Sequence, residues 1–306
     1  MPGAPVVSVC MITFNHEAFI AQAVESALHQ KTTFEYEVVC GDDASTDATP
    51  QILKDLERRH APRLRVLCRP ANVGVNRNLV ATMQECRGKY IALLEGDDYW
   101  NDDEKLQLQH DFLESHPDHA ICFHPVAVQR DGALTGERLP RDHVPQRSTL
   151  ADLIEQGNFI CTPSAMFRNH VADGFPEWFF DLKIGDLPLH VMNARFGDIG
   201  FLHRTMAVYR VHPGGTFSSV PNTTRVHEVI RTLSYLNDFL DGRYERSIRG
   251  IQSFWRAVEA FNSGDERTAR QQARIRFAAP PTNRQRLTAG LIAYAPAIYK
   301  LLRGQS

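Results

Sequence analysis

Residues 7–30 read VSVCMITFNHEAFIAQAVESALHQ, and the period of the apolar side chains changes within this stretch. Residues 6–13 form a short apolar run rich in β-branched side chains, which is typical of a strand. Across residues 18–30 the apolar side chains recur at three- and four-residue spacing, as on one face of a helix. The same change of period repeats along the first half of the chain. We therefore predict an α/β fold with a mostly parallel sheet covered by helices on both faces.

The repeats define the predicted elements of this sheet. Further strands are predicted at residues 36–40, 64–68 and 89–94, and helices at residues 76–86 and 103–116. Thr49 is predicted to cap another helix, with Pro50 as its first residue. After residue 121 the rhythm weakens. We predict helices at residues 148–156 and 186–195, strands at residues 159–167 and 199–211, and helical structure from Arg225 onward.

Composition and charge limit the class of protein. The chain has 306 residues, of which 43% are hydrophobic and 23% charged, as in a globular protein of one or two domains. Its net charge of -2 argues against a cationic nucleic-acid binder. Residues 225–306 hold 14 Lys and Arg against 7 Asp and Glu, while the remainder holds 20 against 29. An acidic body with a basic tail suggests two regions with different partners.

The cysteines and the apolar segments predict a cytoplasmic protein. Cys10, Cys40, Cys68 and Cys122 lie in strand-like runs, and no pair has the CxxC spacing. We expect reduced core cysteines rather than a disulfide framework or a zinc site. The start of the sequence has no basic segment before its apolar stretch, so no signal peptide is expected. Residues 287–302 are interrupted by Pro296 and Lys300, and are too short for a membrane span.

Ligands of parallel sheets bind beyond the carboxyl ends of the strands. The segments that follow the first four predicted strands are all polar, and are Thr13-Phe14-Asn15-His16, Gly41-Asp42-Asp43-Ala44-Ser45-Thr46-Asp47, Asn72-Val73-Gly74-Val75-Asn76-Arg77-Asn78 and Glu95-Gly96-Asp97-Asp98-Tyr99-Trp100. The sequence has no Walker A motif, no GxGxxG after the first strand and no GxSxG. These absences disfavour P-loop enzymes, the usual dinucleotide enzymes and hydrolases with a nucleophile elbow.

Glu95, Asp97 and Asp98 directly follow an apolar strand. Packed carboxylates repel one another, and a divalent cation would relieve that repulsion. Their hard oxygen atoms suit Mg²⁺ or Mn²⁺, which can also bridge to phosphate. The alternative is a solvated acidic turn in which Asp102 or Asp103 caps the next helix.

Other candidates follow the remaining strands. Asp42 and Asp43 could accept hydrogen bonds from a nucleobase or ribose, or could simply form a polar turn. Phe14 could stack on a base, or pack under the sheet. Asp186 could cap a helix that contains Pro188, and a cap position would leave one carboxylate oxygen free to act as a general base.

His212 precedes a turn of sequence Pro213-Gly214-Gly215-Thr216-Phe217-Ser218. The side chain of His212 could bind a metal or a phosphate, and the alternative is a purely structural turn.

Taken together, these segments resemble the family 2 glycosyltransferases of the GT-A fold. The opening strand through Asn15 and His16 resembles the family's first strand, and Gly41–Asp47 resembles its Asp-Asp-Gly-Ser-Thr-Asp segment. Asn72-Val73-Gly74 with Arg77-Asn78 resembles its Asn-x-Gly segment. Leu94-Glu95-Gly96-Asp97-Asp98-Tyr99-Trp100 and Tyr209-Arg210-Val211-His212-Pro213 resemble a bacterial branch of the family. The similarity covers residues 6–218 in the family's order.

The resemblance implies roles for individual residues. The nucleotide sugar would be bound by Thr13, Phe14, Asn15, Asp42, Asp43, Arg77, Asn78, Glu95, Gly96 and Asp97, and the metal by Asp97, Asp98 and His212. Phe14 would stack on the base and Asp42 would hydrogen-bond to it. Asp186 matches the family's catalytic Asp and would deprotonate the acceptor hydroxyl. Glu often precedes that Asp in the family, whereas Gly185 stands there in this chain.

The resemblance also implies the reaction. It is an inverting transfer from a nucleoside-diphosphate sugar, linked to uridine or thymidine, to a glycan or lipid-linked acceptor, with Mg²⁺ or Mn²⁺. The implied context is the synthesis of bacterial surface polysaccharide or another secreted glycan. Residues 1–220 would form the GT-A domain, with residues 1–120 binding the donor and residues 121–220 the acceptor. A sugar-phosphate nucleotidyltransferase and a non-catalytic binding relative remain as alternatives.

Residues 221–306 are predicted to form a helical, basic C-terminal extension. Its apolar residues at helical spacing favour a lid or packing arm. The alternative is an amphipathic surface at residues 287–302, with Arg284, Arg286, Lys300 and Arg303 at its ends. Such a surface would place the protein peripherally at the inner face of the cell membrane.

Overall fold

The computed structural model describes residues 4–141, 144–170, 174–215, 222–279 and 284–295. The chain divides into two compact units, residues 1–150 with 158–219 and residues 151–157 with 220–306. The predicted boundary at residue 220 lies outside the described residues. The division of the first region at residue 120 stays a prediction.

The first unit contains two sheets. Its strands are β1 Val7–Thr13, β2 Tyr36–Asp42, β3 Leu64–Cys68, β4 Tyr90–Glu95, β5 Tyr99–Trp100, β6 His119–Phe123, β7 Val126–Arg130, β8 Ala133–Leu139, β9 Arg147–Ser148, β10 Met166–Arg168, β11 Asp198–Phe201 and β12 Ala207–Val211. The larger sheet has the order β3-β2-β1-β4-β10-β6-β11-β9, and the smaller one the order β5-β12-β7-β8. β1 is parallel to both β2 and β4, so their carboxyl ends meet at one edge.

Helices connect these strands, as the change of period predicts. They are α1 Ile20–Leu28, α2 Thr49–His60, α3 Val75–Met83, α4 Lys105–Ser115 and α6 Asp186–Ala194 in the first unit, with 3-10 helices at Thr162–Ser164 and Glu177–Asp181. Every residue of β1 and β2 is buried, because the helices cover both faces of a parallel sheet. The mostly parallel sheet flanked by helices is confirmed.

The second half of the first unit departs from the predicted elements. The strand predicted at residues 159–167 is instead the 3-10 helix Thr162–Ser164 followed by three residues of β10. The strand predicted at residues 199–211 is two strands, β11 and β12, in different sheets. The sequence pattern does not reveal this change of sheet, because apolar residues also occur in the connection, at Leu202 and Met206.

Three local predictions were also wrong. Thr49 is the first residue of α2 rather than its cap, and the Asp47 carboxylate accepts its N–H at 2.9 Å. Gly185 is the residue that precedes α6, and Asp186 is its first helical residue. Cys68 is exposed at the end of β3, whereas Cys10, Cys40 and Cys122 are buried as predicted. All six cysteines are free.

The second unit is helical. It contains α5 Leu150–Gln156 from residue 151 onward, α7 Asn222–Phe239, α8 Glu245–Asn262, α9 Glu266–Ala278 and α10 Arg284–Tyr294. α8, α9 and α10 share a small core of Ala257, Ala260, Ala269, Ala273, Ala289, Ile292 and Ala293. One face of α10 is therefore buried in the core of the second unit. Residues 296–302 of the predicted amphipathic segment lie outside the described residues. Across the described ranges, we find no helix with the length and apolarity needed to cross a membrane.

Candidate active site

The register of the larger sheet places three predicted site residues side by side. Thr13 is paired with Asp42 across β1 and β2, and Ile12 is paired with Glu95 across β1 and β4. The carboxyl ends of these strands therefore align to within one residue. This alignment brings the loops after β1, β2 and β4 to one edge, as the sequence predicts for a ligand site.

The loop after β1 is tied to the loop after β2. The Asn15 side-chain oxygen accepts a hydrogen bond from the Thr46 backbone N–H at 2.8 Å, and the Asn15 N–H donates to Ser45 at 2.8 Å. Asn15 has a φ of 55°, which Asn tolerates better than most residues. Phe14 is 42% exposed and does not pack under the sheet. Asn15 therefore shapes the loop, and Phe14 presents an open ring.

Asp42 and Asp43 are both buried. Asp42 accepts hydrogen bonds from the hydroxyl and the N–H of Ser45. Asp43 accepts from the backbone N–H groups of Val73 and Gly74, at 2.8 and 2.9 Å. The φ of Gly74 is 89°, a conformation that favours glycine. In this structure the Asp42 carboxylate organises the loop after β2, and the Asp43 carboxylate holds the segment after β3.

Arg77 and Asn78 lie on α3 and face different surroundings. The Asn78 amide donates to the Gly41 carbonyl at 2.8 Å and its oxygen accepts from Arg69 at 3.0 Å, so its side chain serves the protein's own groups. The guanidinium of Arg77 lies 4.8 Å from the centroid of the Phe180 ring. The structure thus places Arg77, but not Asn78, next to the segment that precedes Asp186.

Glu95, Asp97 and Asp98 form a compact acidic cluster. One carboxylate oxygen of each lies within 4.8 Å of the others. Asp98 is 1% exposed, and its Oδ1 accepts from the Arg210 N–H at 2.8 Å. Its Oδ2 is buried and has no hydrogen-bond partner among the described residues. A buried carboxylate oxygen without a donor is costly, and a hard divalent cation would satisfy it. The residues present therefore fit a Mg²⁺ or Mn²⁺ site.

Two imidazoles border the cluster. His212 Nε2 lies 3.0 Å from Asp97 Oδ2. This distance fits a hydrogen bond, and it also fits two ligand atoms of one metal ion. His16 Nε2 lies 3.8 Å from the same oxygen, and its Nδ1 lies 3.2 Å from the Thr13 hydroxyl. The sequence motifs predicted no role for His16. The signal was its position directly after β1, at the edge where the acids collect.

The protonation of the cluster reflects this crowding. Burial, with the nearby negative charges of Asp97 and Asp186, raises the pKa of Glu95 to about 8. Burial and the charges of Asp97 and Glu95 raise the pKa of Asp98 well above its usual value. Burial would also raise the pKa of Asp97, but the hydrogen bond with His212 and the field of His16 outweigh it and lower that pKa. Asp97 is thus the carboxylate that stays ionised most readily.

Gly96 and Arg210 hold the acidic loop in place. A Cβ atom on Gly96 would lie 2.5 Å from the Thr13 hydroxyl, so only glycine allows β4 to end this close to β1. The Arg210 guanidinium donates to the Asp97 carbonyl at 2.7 Å and lies 4.4 Å from the centroid of the Tyr99 ring. Arg210 lies in the Tyr209–Pro213 motif, which predicted no role for it. It is a positioning residue for the Asp97–Asp98 peptide.

Asp186 stands at the start of α6 with both oxygens engaged. Its Oδ1 accepts from the Leu187 N–H at 2.8 Å, and its Oδ2 accepts from the side-chain amide of Asn158 at 2.7 Å. The prediction that one oxygen is free of protein contacts was therefore wrong, because Asn158 approaches from the loop after α5. Burial raises the pKa of Asp186, and its charge in turn helps to raise the pKa of Glu95. Asp186 thus acts electrostatically on the acidic cluster.

The residue before Asp186 is glycine for a steric reason. A Cβ atom on Gly185 would overlap the side-chain amide of Asn76. That amide donates to the carbonyls of Phe179 and Leu182, at 3.0 and 2.7 Å. Asn76 therefore ties α3 to the segment that leads into α6, and occupies the space that a larger residue 185 would need.

Comparison with known proteins identifies this arrangement. Residues 8–175 match the glycosyl transferase family 2, and the chain belongs to that family. It is a glycosyltransferase with the GT-A fold.

Two relatives show the range of the family. The Rv1520 protein of Mycobacterium tuberculosis is 38% identical over 257 residues, which are 81% of this chain and 73% of that protein. The chondroitin synthase of Pasteurella multocida is 26% identical over 71% of this chain, and the match covers 22% of that larger enzyme.

Two solved structures share the fold. Staphylococcus aureus TarS residues 1–349 in complex with UDP-GlcNAc superimposes with a TM-score of 0.65 at 20% identity, over 98% of this chain and 92% of that 1–349 fragment. The mannosyltransferase PcManGT of Pyrobaculum calidifontis, in complex with GDP-Man and Mn²⁺, gives a TM-score of 0.61 at 16% identity, over 99% of this chain and 80% of PcManGT.

Proposed function

We propose that this chain transfers a sugar from a nucleoside-diphosphate sugar to an acceptor hydroxyl with inversion, and that Asp186 is the general base. The observation that carries the proposal is the Asp186 carboxylate, which is oriented by Asn158 and coupled electrostatically to Glu95. A raised carboxyl pKa moves a base toward the working pH, where general-base catalysis is most effective.

The reaction is a single displacement. Asp186 takes the proton of the acceptor hydroxyl as the acceptor oxygen attacks the anomeric carbon. The bond from that carbon to the diphosphate oxygen breaks, and the diphosphate leaves with the electron pair. One displacement inverts the anomeric configuration and needs no covalent nucleophile on the protein.

Asp97, Asp98 and His212 would hold the cation, with Glu95 beside them. A bound Mg²⁺ or Mn²⁺ would supply neutralisation of the charge on the leaving diphosphate. Gly96 and Arg210 keep the acidic loop in the geometry that these ligands need. This arrangement suits group transfer from phosphate, which depends on positioning and charge neutralisation.

The donor side of the edge fits a nucleotide. Phe14 offers an open ring for stacking on the base, and Asp42 and Asp43 shape the loops around it. We propose a uridine or thymidine diphosphate sugar, and the UDP-GlcNAc complex of TarS supports the uridine form. Arg77 would line the pocket. Asn78 would act through the Gly41 backbone rather than by touching the nucleotide.

The acceptor is proposed to be a growing glycan or a lipid-linked sugar in bacterial polysaccharide synthesis. The similarity to a chondroitin synthase supports a polysaccharide product. We propose that the protein acts in the cytoplasm, as the number and spacing of its cysteines predict.

Donor binding and catalysis are tested by one pair of measurements. Thermal shifts with UDP, dTDP and GDP, each with and without Mn²⁺, should show a metal-dependent rise in melting temperature with one diphosphate. Asp186→Asn should keep that shift and lose sugar transfer. Equal turnover in Asp186→Asn would remove the assignment of the base, and release of pyrophosphate from a nucleoside triphosphate and a sugar phosphate would favour a nucleotidyltransferase. A nucleotide shift without any turnover would indicate a non-catalytic relative.

A further inference from the structure

A row of arginines lies on the exposed side of α9. Arg267, Arg270 and Arg274 are spaced three and four residues apart, so they share one face of the helix. All three are exposed, and with Gln271 they line a surface cavity of about 490 Å³. Ala269 and Ala273 on the same helix are buried in the core of the second unit. That packing fixes the rotation of α9 about its axis and directs the three arginines toward solvent. We call Arg267, Arg270 and Arg274 the arginine face.

Exposed apolar side chains continue the arginine face. Phe277, Leu287 and Tyr294 are 39%, 66% and 63% exposed. The rings of Phe277 and Tyr294 are 5.6 Å apart, and the Arg274 guanidinium lies 5.9 Å from the Tyr294 ring. These contacts join the end of α9 to α10. Of the seven large apolar residues that are exposed in the described part of the chain, three lie on α9 and α10. The ring contacts join Phe277 and Tyr294 to Arg274, and Leu287 lies seven residues before Tyr294, on the same face of α10.

The charges near this face are predominantly positive. Glu266 approaches Arg270 at 3.5 Å, but both are about half exposed, so the pair is weak. The Asp265 carboxylate accepts from the Thr268 N–H at the start of α9. Residues 225–306 carry twice as many Lys and Arg as Asp and Glu, whereas the remainder of the chain is acidic. The positive charge that would attract an anion is therefore concentrated in the second unit.

We propose that the arginine face, together with Phe277, Leu287 and Tyr294, docks on the surface of an anionic phospholipid bilayer. Guanidinium groups pair with lipid phosphates. The two aromatic rings and the leucine side chain would lie at the boundary between the headgroups and the acyl chains. A nucleic acid would satisfy the arginines but would offer Leu287 no hydrocarbon. The described helices contain no membrane span, so this contact is one of attachment at the surface.

The inference goes beyond sugar transfer, and its test needs no catalysis. The full chain is mixed with vesicles of phosphatidylcholine, or of phosphatidylcholine with 30% phosphatidylglycerol, and floated on a density gradient. We expect flotation with the anionic vesicles only, and a loss of binding as salt is raised. Failure to float with the anionic vesicles would overturn the proposal.

Matched variants locate the surface. Arg267→Gln/Arg270→Gln/Arg274→Gln should raise the lipid concentration for half-maximal binding at least about tenfold. Arg58→Gln/Arg59→Gln/Arg138→Gln removes the same charge from exposed arginines of the first unit, and should leave binding unchanged. Equal losses in the two triple variants would overturn the proposed location.

A second variant and a competing ligand complete the test. Leu287→Gln/Tyr294→Gln should weaken flotation without a change in net charge, and unchanged flotation would contradict the apolar part of the surface. Single-stranded RNA that binds tightly while vesicles do not would assign the face to nucleic acid instead. The metal-dependent thermal shift with UDP is measured on the same variants, so loss of lipid binding is distinguished from loss of donor binding.

Discussion

The imidazole of His212 lies 3.0 Å from the carboxylate of Asp97, and joins the end of β12 to the loop after β4. The two residues are 115 positions apart in the chain. His16 approaches the same carboxylate oxygen from the loop after β1, at 3.8 Å. Three segments of the chain therefore converge on one carboxylate oxygen.

This convergence predicts the effect of removing an imidazole on metal binding. His212→Ala should weaken Mn²⁺ binding in the presence of the nucleoside diphosphate about 10- to 100-fold, and His16→Ala by a smaller factor. Isothermal titration or the electron paramagnetic resonance of Mn²⁺ measures this directly. His29→Ala, at an exposed histidine after α1, is the control and should have no effect. An unchanged affinity in His212→Ala would remove this residue from the metal site.

Asn158 predicts a shift in pH dependence. Burial raises the pKa of Asp186, and the hydrogen bond from the Asn158 amide favours the ionised carboxylate and partly offsets that rise. Asn158→Ala therefore raises the pKa of the base. Since the base must be deprotonated, the acidic limb of the pH–rate profile should move to higher pH, and kcat at neutral pH should fall about tenfold.

The profile separates positioning from folding. Asn101→Ala, in an exposed loop, should leave both the rate and the acidic limb unchanged. If Asn158→Ala lowers the rate with no movement of the limb, Asn158 acts on structure alone.

The buried Lys105 predicts a dependence of stability on pH. Burial lowers its pKa to about 7, and its Nζ contacts Gln109 at 2.6 Å and the Trp100 ring at 4.1 Å. In the unfolded chain Lys105 has a pKa near 10.4. Between pH 7 and that value the unfolded chain binds more protons at Lys105 than the folded protein does, so this group makes the free energy of unfolding rise with pH. From pH 7 to 8.5 the rise should be about 1 to 2 kcal/mol.

Urea unfolding at the two pH values measures this contribution. Lys105→Met should abolish the rise that the lysine causes, and should be neutral or stabilising at pH 7 because no charge is left buried. Lys54→Met, at an exposed lysine, should keep the pH dependence of the parent. The same slope in Lys105→Met and the parent would show that Lys105 keeps an ordinary pKa.

Gly185 and Asn76 predict a steric coupling. Gly185→Ala drives a methyl group into the Asn76 amide, and should destabilise the protein by about 1 to 3 kcal/mol. Asn76→Ala leaves two carbonyls without their donor and should also be destabilising. The double variant should lose less stability than the sum of the single variants, because the clash is gone. Additive losses in denaturant unfolding would contradict this contact.

Sequence patterns predicted the edge of the sheet but not the contacts across it. Thr13, Asp42 and Glu95 were predictable as neighbours, because parallel strands of an alternating α/β chain end at the same edge. Asn158 and Arg210 reach the site from segments that are distant in the sequence. Their neighbouring residues therefore do not predict these contacts. Arg210 lies in a quoted motif, yet its contact with Asp97 depends on how β12 pairs with β5.

The β7–β8 hairpin of the smaller sheet has a clear signal in the sequence. β7 and β8 are joined by Asp131-Gly132, with φ values of 48° and 81°, which is the two-residue turn typical of a β-hairpin. Cys68 shows the opposite case. It is the last residue of the apolar run that forms β3, yet its side chain is exposed. Turn chemistry was informative here, whereas the exact end of an apolar run was not.

The hydrogen bonds from Val73 and Gly74 to Asp43, and from Thr46 to Asn15, fix three loops before any donor arrives. The backbone of these loops is already ordered, so a nucleotide that binds there does not have to order it. Its association should therefore be a single fast kinetic phase, with a heat-capacity change that matches the buried area alone.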